Sequence, residues 1–217
     1  MIARSGGRPQ AHNTTFALCI NGWRIDEEAF MSSKGIKPSW CQLSRRLRAL
    51  DAPSLLRILH DLYDATPDNR RFLHARFFSG TAELDNYRKR IQDAVAPNPL
   101  GNKPIRVSEA RRLIRHYHRA TDDPVSTTDL LAYALELGIE QSLDLGVEGD
   151  DYFGPLLHIV DDFIRLYDEL PPGAQEFAYD RFKALVLRAT DIGCGFGDEM
   201  DNLFQSIQQP TSKRPAT

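Results

Sequence analysis

Apolar residues recur every three or four positions from residue 38 almost to the C-terminus, the period of helices that bury one face. In "PSWCQLSRRLRAL" (38–50) the stripe is Trp40, Leu43, Leu47 and Leu50. "PSLLRILHDLYDA" from Pro53 repeats it with Leu55, Leu59 and Leu62, widened by Leu56 and Tyr63. Thr66, Pro67 and Asp68 supply the N-cap, first-position proline and first-turn acid of a third helix, predicted to run to Phe78. A fourth opens at Thr81 and turns Leu84, Tyr87, Ile91 and Val95 inward, with Arg88, Lys89 and Arg90 on its other sides.

Three prolines and a glycine in "APNPLGNKP" (96–104) interrupt this pattern and divide the helical region into candidate sub-blocks, 38–95 and 107–208. After the break, "VSEARRLIRHYHRA" places Ala110, Leu113, Ile114 and Tyr117 on one stripe and turns its arginines outward. Ser126 with Asp129 resembles a capping box and predicts a long helix to Leu145. The segment 151–170 is predicted to turn Phe153, Leu156, Val160, Phe163, Ile164 and Tyr167 inward, and Asp161, Asp162, Arg165 and Glu169 outward. "PPG" at Pro171 ends it. Helices over 174–190 and from Phe196 onward follow, the last with Phe196, Met200, Leu203, Phe204 and Ile207 on one face. The predicted architecture is all-α, about eight helices in successive antiparallel hairpins, as a bundle or a short α–α superhelix. Residues 1–37 form an extension in which Asn21-Gly22 is a weak hairpin signal. Translation is expected to begin at Met31, which makes residues 1–30 dispensable. The tail 209–217 reads as disordered.

"DIGCGFGDEM" (Asp191–Met200) spells the glycine-rich first motif of class I methyltransferases. That motif needs a strand before it and several βα units after it, because the glycines let backbone approach the cofactor at a helix N-terminus. Here "EFAYDRFKALVLRAT" precedes it with helical spacing, and only twenty residues follow Gly197. The reading is therefore a helix–glycine–helix corner pinned by Phe196, with a positive φ at one of Gly193, Gly195 or Gly197 and no bound cofactor.

From about Trp40 to Phe204 the order of features resembles an uncharacterised bacterial family, domain of unknown function 6155. The segments that carry the resemblance are "LLRILHDLYDATPDNRRFLHARF", "YRKRI", "SEARRLIRHYHRA", "LLAYALELGIEQSLDLG", "YFGPLLHIVDDFIRLY" and "TDIGCGFGDEMDNLF". Cys194 stands where that family favours an aromatic residue, and Gly197 where it favours histidine. The resemblance implies an all-helical fold and supplies no activity.

Charge changes the picture more than composition does. The net charge of -3 conceals two halves: up to Ala120 there are 21 Lys and Arg against 11 Asp and Glu, and beyond it 6 against 19. Opposite fields of this kind suit halves that pack against each other or against a second copy, or a protein partner, and the overall pI near 6.1 lies below that usual for a nucleic-acid domain. The expected protein is a non-enzymatic interaction or adaptor protein of the cytoplasm, without cofactor or metal. No apolar run is long enough to span a membrane. Cys19, Cys41 and Cys194 are odd in number and far apart, so they suggest neither a disulfide framework nor a zinc cluster.

The alternative is an RNA-binding protein, or a ribonuclease of the HEPN type, working through the basic helix Arg111–Arg119. The candidate anion contacts are Arg111, Arg112, Arg115, His116 and Arg119. Arg111 and His116 have the Arg-x4-His spacing in which histidine serves as base and arginine steadies phosphate. Arg112 replaces the polar residue usual after that arginine. His116 and His118 project about 200° apart on a helix and would not share a metal ion.

Overall fold

The computed structural model describes residues 38–208, apart from 79 and 102. The expectations for residues 1–37 and for the tail 209–217 fall outside that range. Among the described residues there are nine α-helices, a single 3-10 turn and no strand. The described residues fall into two units, 38–55 and 56–208.

In the first unit, α1 (Trp40–Arg48) begins with a capping box: Ser39 Oγ accepts from the Gln42 N–H, and Gln42 Oε1 accepts from the Ser39 N–H. α1 buries none of its residues, and Trp40 and Leu43, expected to face inward, are exposed. Periodicity tells which side chains share a face and does not tell whether anything covers it. α2 (Ala52–Ala65) starts on Asp51, whose carboxylate accepts from the Ser54 N–H. Its stripe is likewise open at Leu56, Leu59 and Leu62.

The second unit holds α3 (Pro67–Phe77), α4 (Thr81–Val95), α5 (Val107–Thr121), α6 (Pro124–Leu145), α7 (Asp150–Tyr167), α8 (Pro172–Ala189) and α9 (Phe196–Gln208). Thr66 caps α3 as predicted, its hydroxyl accepting from the Asn69 N–H. α6 is the hub. Its buried positions, which include Thr127, Leu130, Leu131, Ala134, Leu135 and Ile139, occur on more than one side of the helix, and α4, α5, α7 and α8 all pack on it. α3 lies on α5, α5 on α7, and α9 on α7 and α8. α4 packs on α5 and α6 across the proline-rich 96–104 segment.

Two local differences from the sequence pattern have clear causes. α6 starts two residues before Ser126, because Asp123 is the N-cap, its carboxylate accepting from the N–H groups of Val125 and Ser126 ahead of Pro124 in the first turn. On α7, Leu156, Val160 and Phe163 are fully buried, Ile164 and Tyr167 only half-buried, and Asp162, expected outside, is buried at 3% exposure. Close approach of α6 and α7 is allowed by Gly138: a Cβ there would stand 2.5 Å from Leu156 Cδ2, and the Gly138 carbonyl accepts from Tyr152 Oη at 2.7 Å.

The glycine segment is the helix–helix corner that its spacing predicts. α8 precedes it, Gly195 has φ 73° and Cys194 φ 56°, and Phe196 opens α9 buried against Phe153 with ring centroids 4.7 Å apart. Phe182, Leu185, Ala189, Met200 and Phe204 are buried around it, with Leu203 half-buried. Gly197 is needed for space: a Cβ would meet the Ala189 carbonyl oxygen at 2.6 Å. Phe196→Ala is expected to lower stability by about 3 kcal/mol or more, through lost burial and a residual cavity. Gly197→Ala is expected to cost about 2 kcal/mol by overpacking. Gly193→Ala, where nothing lies within 4 Å, is expected to change stability by less than about 0.5 kcal/mol. Urea denaturation of the three variants checks the order, and equal losses at Gly193 and Gly197 would contradict the corner geometry.

Candidate functional site, a basic groove

α5 separates two kinds of residue by its period. Ala110, Leu113, Ile114, Tyr117 and Ala120 are buried, while Arg111, Arg115 and Arg119, spaced by four, form a row on another side with Arg112 beside it. That row is one wall of a groove of about 560 Å³. α7 supplies the facing wall through Pro155, His158, Asp162, Arg165 and Leu166, and Thr127 and Leu131 of α6 lie between. Five arginines line it against two carboxylates, Asp162 and Glu169.

Asp162 organises the groove. Arg111 grips it with two parallel bonds, Nε to Oδ2 at 2.7 Å and Nη2 to Oδ1 at 3.0 Å, and Arg165 from the next turn of α7 bonds the same carboxylate. Burial by itself would raise the Asp162 pKa, but the Arg111 fork and the charge of Arg165 outweigh it and hold the carboxyl below the usual carboxylate range. This is why an acid stands on the buried side of α7: an ion taken from water is stable only when paired and hydrogen-bonded. Arg112 lies 3.8 Å from Glu109, whereas Arg115 and Arg119 have no carboxylate partner among the described residues.

His116 is not in the groove. Five positions from Arg111 amount to a rotation of about 140°, and the His116 ring is turned to α3 and α4, its Nδ1 2.7 Å from Tyr87 Oη and its edge against Phe72. Burial lowers the His116 pKa, and a neutral ring protonated on Nε2 lets the Tyr87 hydroxyl donate to Nδ1. Burial also pushes the Tyr87 phenol up to about 12. Of the five candidate contacts, Arg111, Arg112, Arg115 and Arg119 are brought together and His116 is not, so the Arg111–His116 arrangement of a ribonuclease is not assembled here.

His118 and His158 line the groove in its place, and neither Asp162 nor His158 stood out in the sequence as a site residue. The available signal was Asp162 at i+4 from His158, amid the apolar Ile159, Val160 and Phe163. His118 Nδ1 lies 3.3 Å from Thr127 Oγ1, but that hydroxyl donates its proton to the Asp123 carbonyl at 2.6 Å. Thr127 can therefore only accept from His118, and the pair is not a nucleophile with its base. No group of three His, Cys, Asp or Glu side chains able to hold a metal occurs among the described residues, and no described helix is long and apolar enough to cross a membrane.

Fold and groove define an all-α protein with an arginine-lined cleft between two packed helices. Comparison with protein-family models, with curated proteins and with solved structures finds no match to the chain.

The depressed Asp162 pKa carries a sign. The charged form is favoured in the folded protein, so its contribution is present above the unfolded value near 3.8 and is lost as pH falls through the lower folded value. Asp162→Asn is expected to lower stability by about 3 kcal/mol at pH 7, since Arg111 then loses its charged partner. The loss should shrink below pH 4. Thermal denaturation of both forms from pH 7 to pH 2 measures this, and a difference constant over that range would exclude the pair as its cause.

Proposed function

We propose that the protein is a non-enzymatic interaction protein of the cytoplasm, whose groove between α5 and α7 takes an acidic segment of a protein partner. The observation that carries this reading is the pair Arg115 and Arg119. Both line the groove, and neither has a carboxylate partner among the described residues. Arg111 and Arg165 are already committed to Asp162, which fixes the wall on which the free guanidiniums are presented. A planar guanidinium offers paired donors to a carboxylate, so two of them one helical turn apart suit successive acidic side chains of an extended or helical peptide. The only aromatic rings lining the groove are the imidazoles of His118 and His158, with no Phe, Tyr or Trp among the lining residues. Single-stranded nucleic acid is commonly held by stacking several bases on aromatic side chains, and a groove without the larger rings favours a peptide over RNA. Exposed thiols at Cys41 and Cys194 fit a reducing compartment.

RNA binding is the second reading, because unpartnered arginines suit phosphates as well as carboxylates. Fluorescence anisotropy with a labelled deca-glutamate peptide and with a mixed-sequence RNA decamer separates the two. Peptide binding is expected, weakened at least tenfold by the double variant Arg115→Glu, Arg119→Glu, with the RNA binding no more tightly than the peptide. Tighter binding of the RNA, falling steeply as salt rises from 50 to 200 mM, would replace the peptide reading with the nucleic-acid one. Binding of neither at low salt would remove both.

A further inference from the structure

A second cavity, of about 260 Å³, lies on the other side of α6, between α4, α7 and α8. Its chemistry is opposite to that of the groove. Leu84, Ala132, Phe163, Leu170, Phe177 and Ala178 make its walls, and Phe177 is 68% exposed. Thr128 also lines it, only 3% exposed, and its hydroxyl has no hydrogen-bond partner. Buried hydroxyls are nearly always satisfied, and a threonine inside a helix commonly bonds the carbonyl four residues back. The neighbouring Thr127 does so, donating to Asp123 at 2.6 Å, while Thr128 does not. One donor is thus left unused beside the apolar walls, while Arg88, Ser126, Asp129 and Arg181 also line the cavity.

The charged residues of the cavity are satisfied among themselves. Asp129 is shared by Arg88 and Arg181, each at 2.5 Å, and Arg181 also grips Glu136 at 2.7 and 2.9 Å. A charged ligand would have to break that network to find a counter-ion, whereas a neutral one leaves it intact. Pockets for drug-sized ligands run to about 300–1,000 Å³, so the occupant is smaller than those.

We propose that this cavity binds a small, uncharged, mainly apolar molecule bearing one hydrogen-bond acceptor, which Thr128 Oγ1 engages by donating its proton. The apolar lining supplies affinity and Thr128 supplies orientation, and the site is independent of the arginine groove.

Titration of the full chain with 2-octanone, followed by amide ¹H–¹⁵N shifts, tests the proposal. Saturable shifts are expected around Leu84, Thr128, Ala132 and Ala178. Thr128→Val keeps the shape without the donor and should bind 2-octanone at least fivefold more weakly. Octanoate, of similar length but charged, should bind more weakly than the ketone. Ala132→Leu fills the cavity and should abolish binding, and Ala174→Leu at the half-buried start of α8 serves the same purpose if the first variant does not fold. Absence of saturable shifts, shifts confined to other regions, or binding by Ala132→Leu or Ala174→Leu at the wild-type level would overturn the site. Equal affinity in Thr128→Val would overturn the role of the hydroxyl, and tighter binding of octanoate would overturn the preference for an uncharged ligand.

Discussion

Burial of α6 on several sides is the constraint from which the rest of the second unit follows. A helix with "LLAYALELGI" at its middle has apolar residues on several sides, and they are buried only when other helices surround most of it. α4, α5, α7 and α8 form that ring, and α3 and α9 pack onto its members. Each cavity has α6 in its lining: Thr127 and Leu131 lie in the groove of α5 and α7, and Thr128 and Ala132 in the cavity of α4 and α8. Adjacent residues on a helix project about 100° apart, so one helix supplies the inner surface of two sites with unlike chemistry.

Besides apolar packing, α5 and α7 are joined by the Asp162 carboxylate. Once buried it must be met by Arg111, and a bidentate grip tolerates little displacement along either helix. The same interaction that fixes the two helices also leaves Arg115 and Arg119, one and two turns further along α5, facing the groove. Stability and the charge pattern of the site are therefore linked through a single pair. On the opposite side of α6, Arg181 bridges Asp129 and Glu136 and ties α8 to the hub in a comparable way.

Glycine sets the closest contacts. Gly138 lets Leu156 of α7 reach the backbone of α6, and Gly197 lets α9 turn directly over the end of α8. The motif that spells a methyltransferase cofactor loop is thus a packing device, placed between two helices instead of after a strand. Gly197 answers to a carbonyl oxygen 2.6 Å from where a methyl would be, and Gly195 to a positive φ, not to a cofactor.

The all-helical class, most helix limits in the second unit, the corner at Gly193–Gly197 and its buried Phe196 were legible in the sequence, because each depends on spacing, caps and backbone freedom within a few residues. The row Arg111, Arg115, Arg119 was legible for the same reason. Three things were not. Asp123 displaced Ser126 as the cap of α6, since two cap chemistries stand close together in sequence and only backbone geometry chooses between them. His116 shares a short sequence with the arginines, yet faces Tyr87, because helical rotation puts it on another side and α4 supplies a hydroxyl there. Asp162 looked like a solvated acid and proved to be the centre of the groove, since an acid beside apolar residues is exposed or buried according to whether an arginine distant in sequence arrives to pair with it. Local order is determined by local chemistry. Which face is covered, by what, and which charges meet inside are decided when the helices pack.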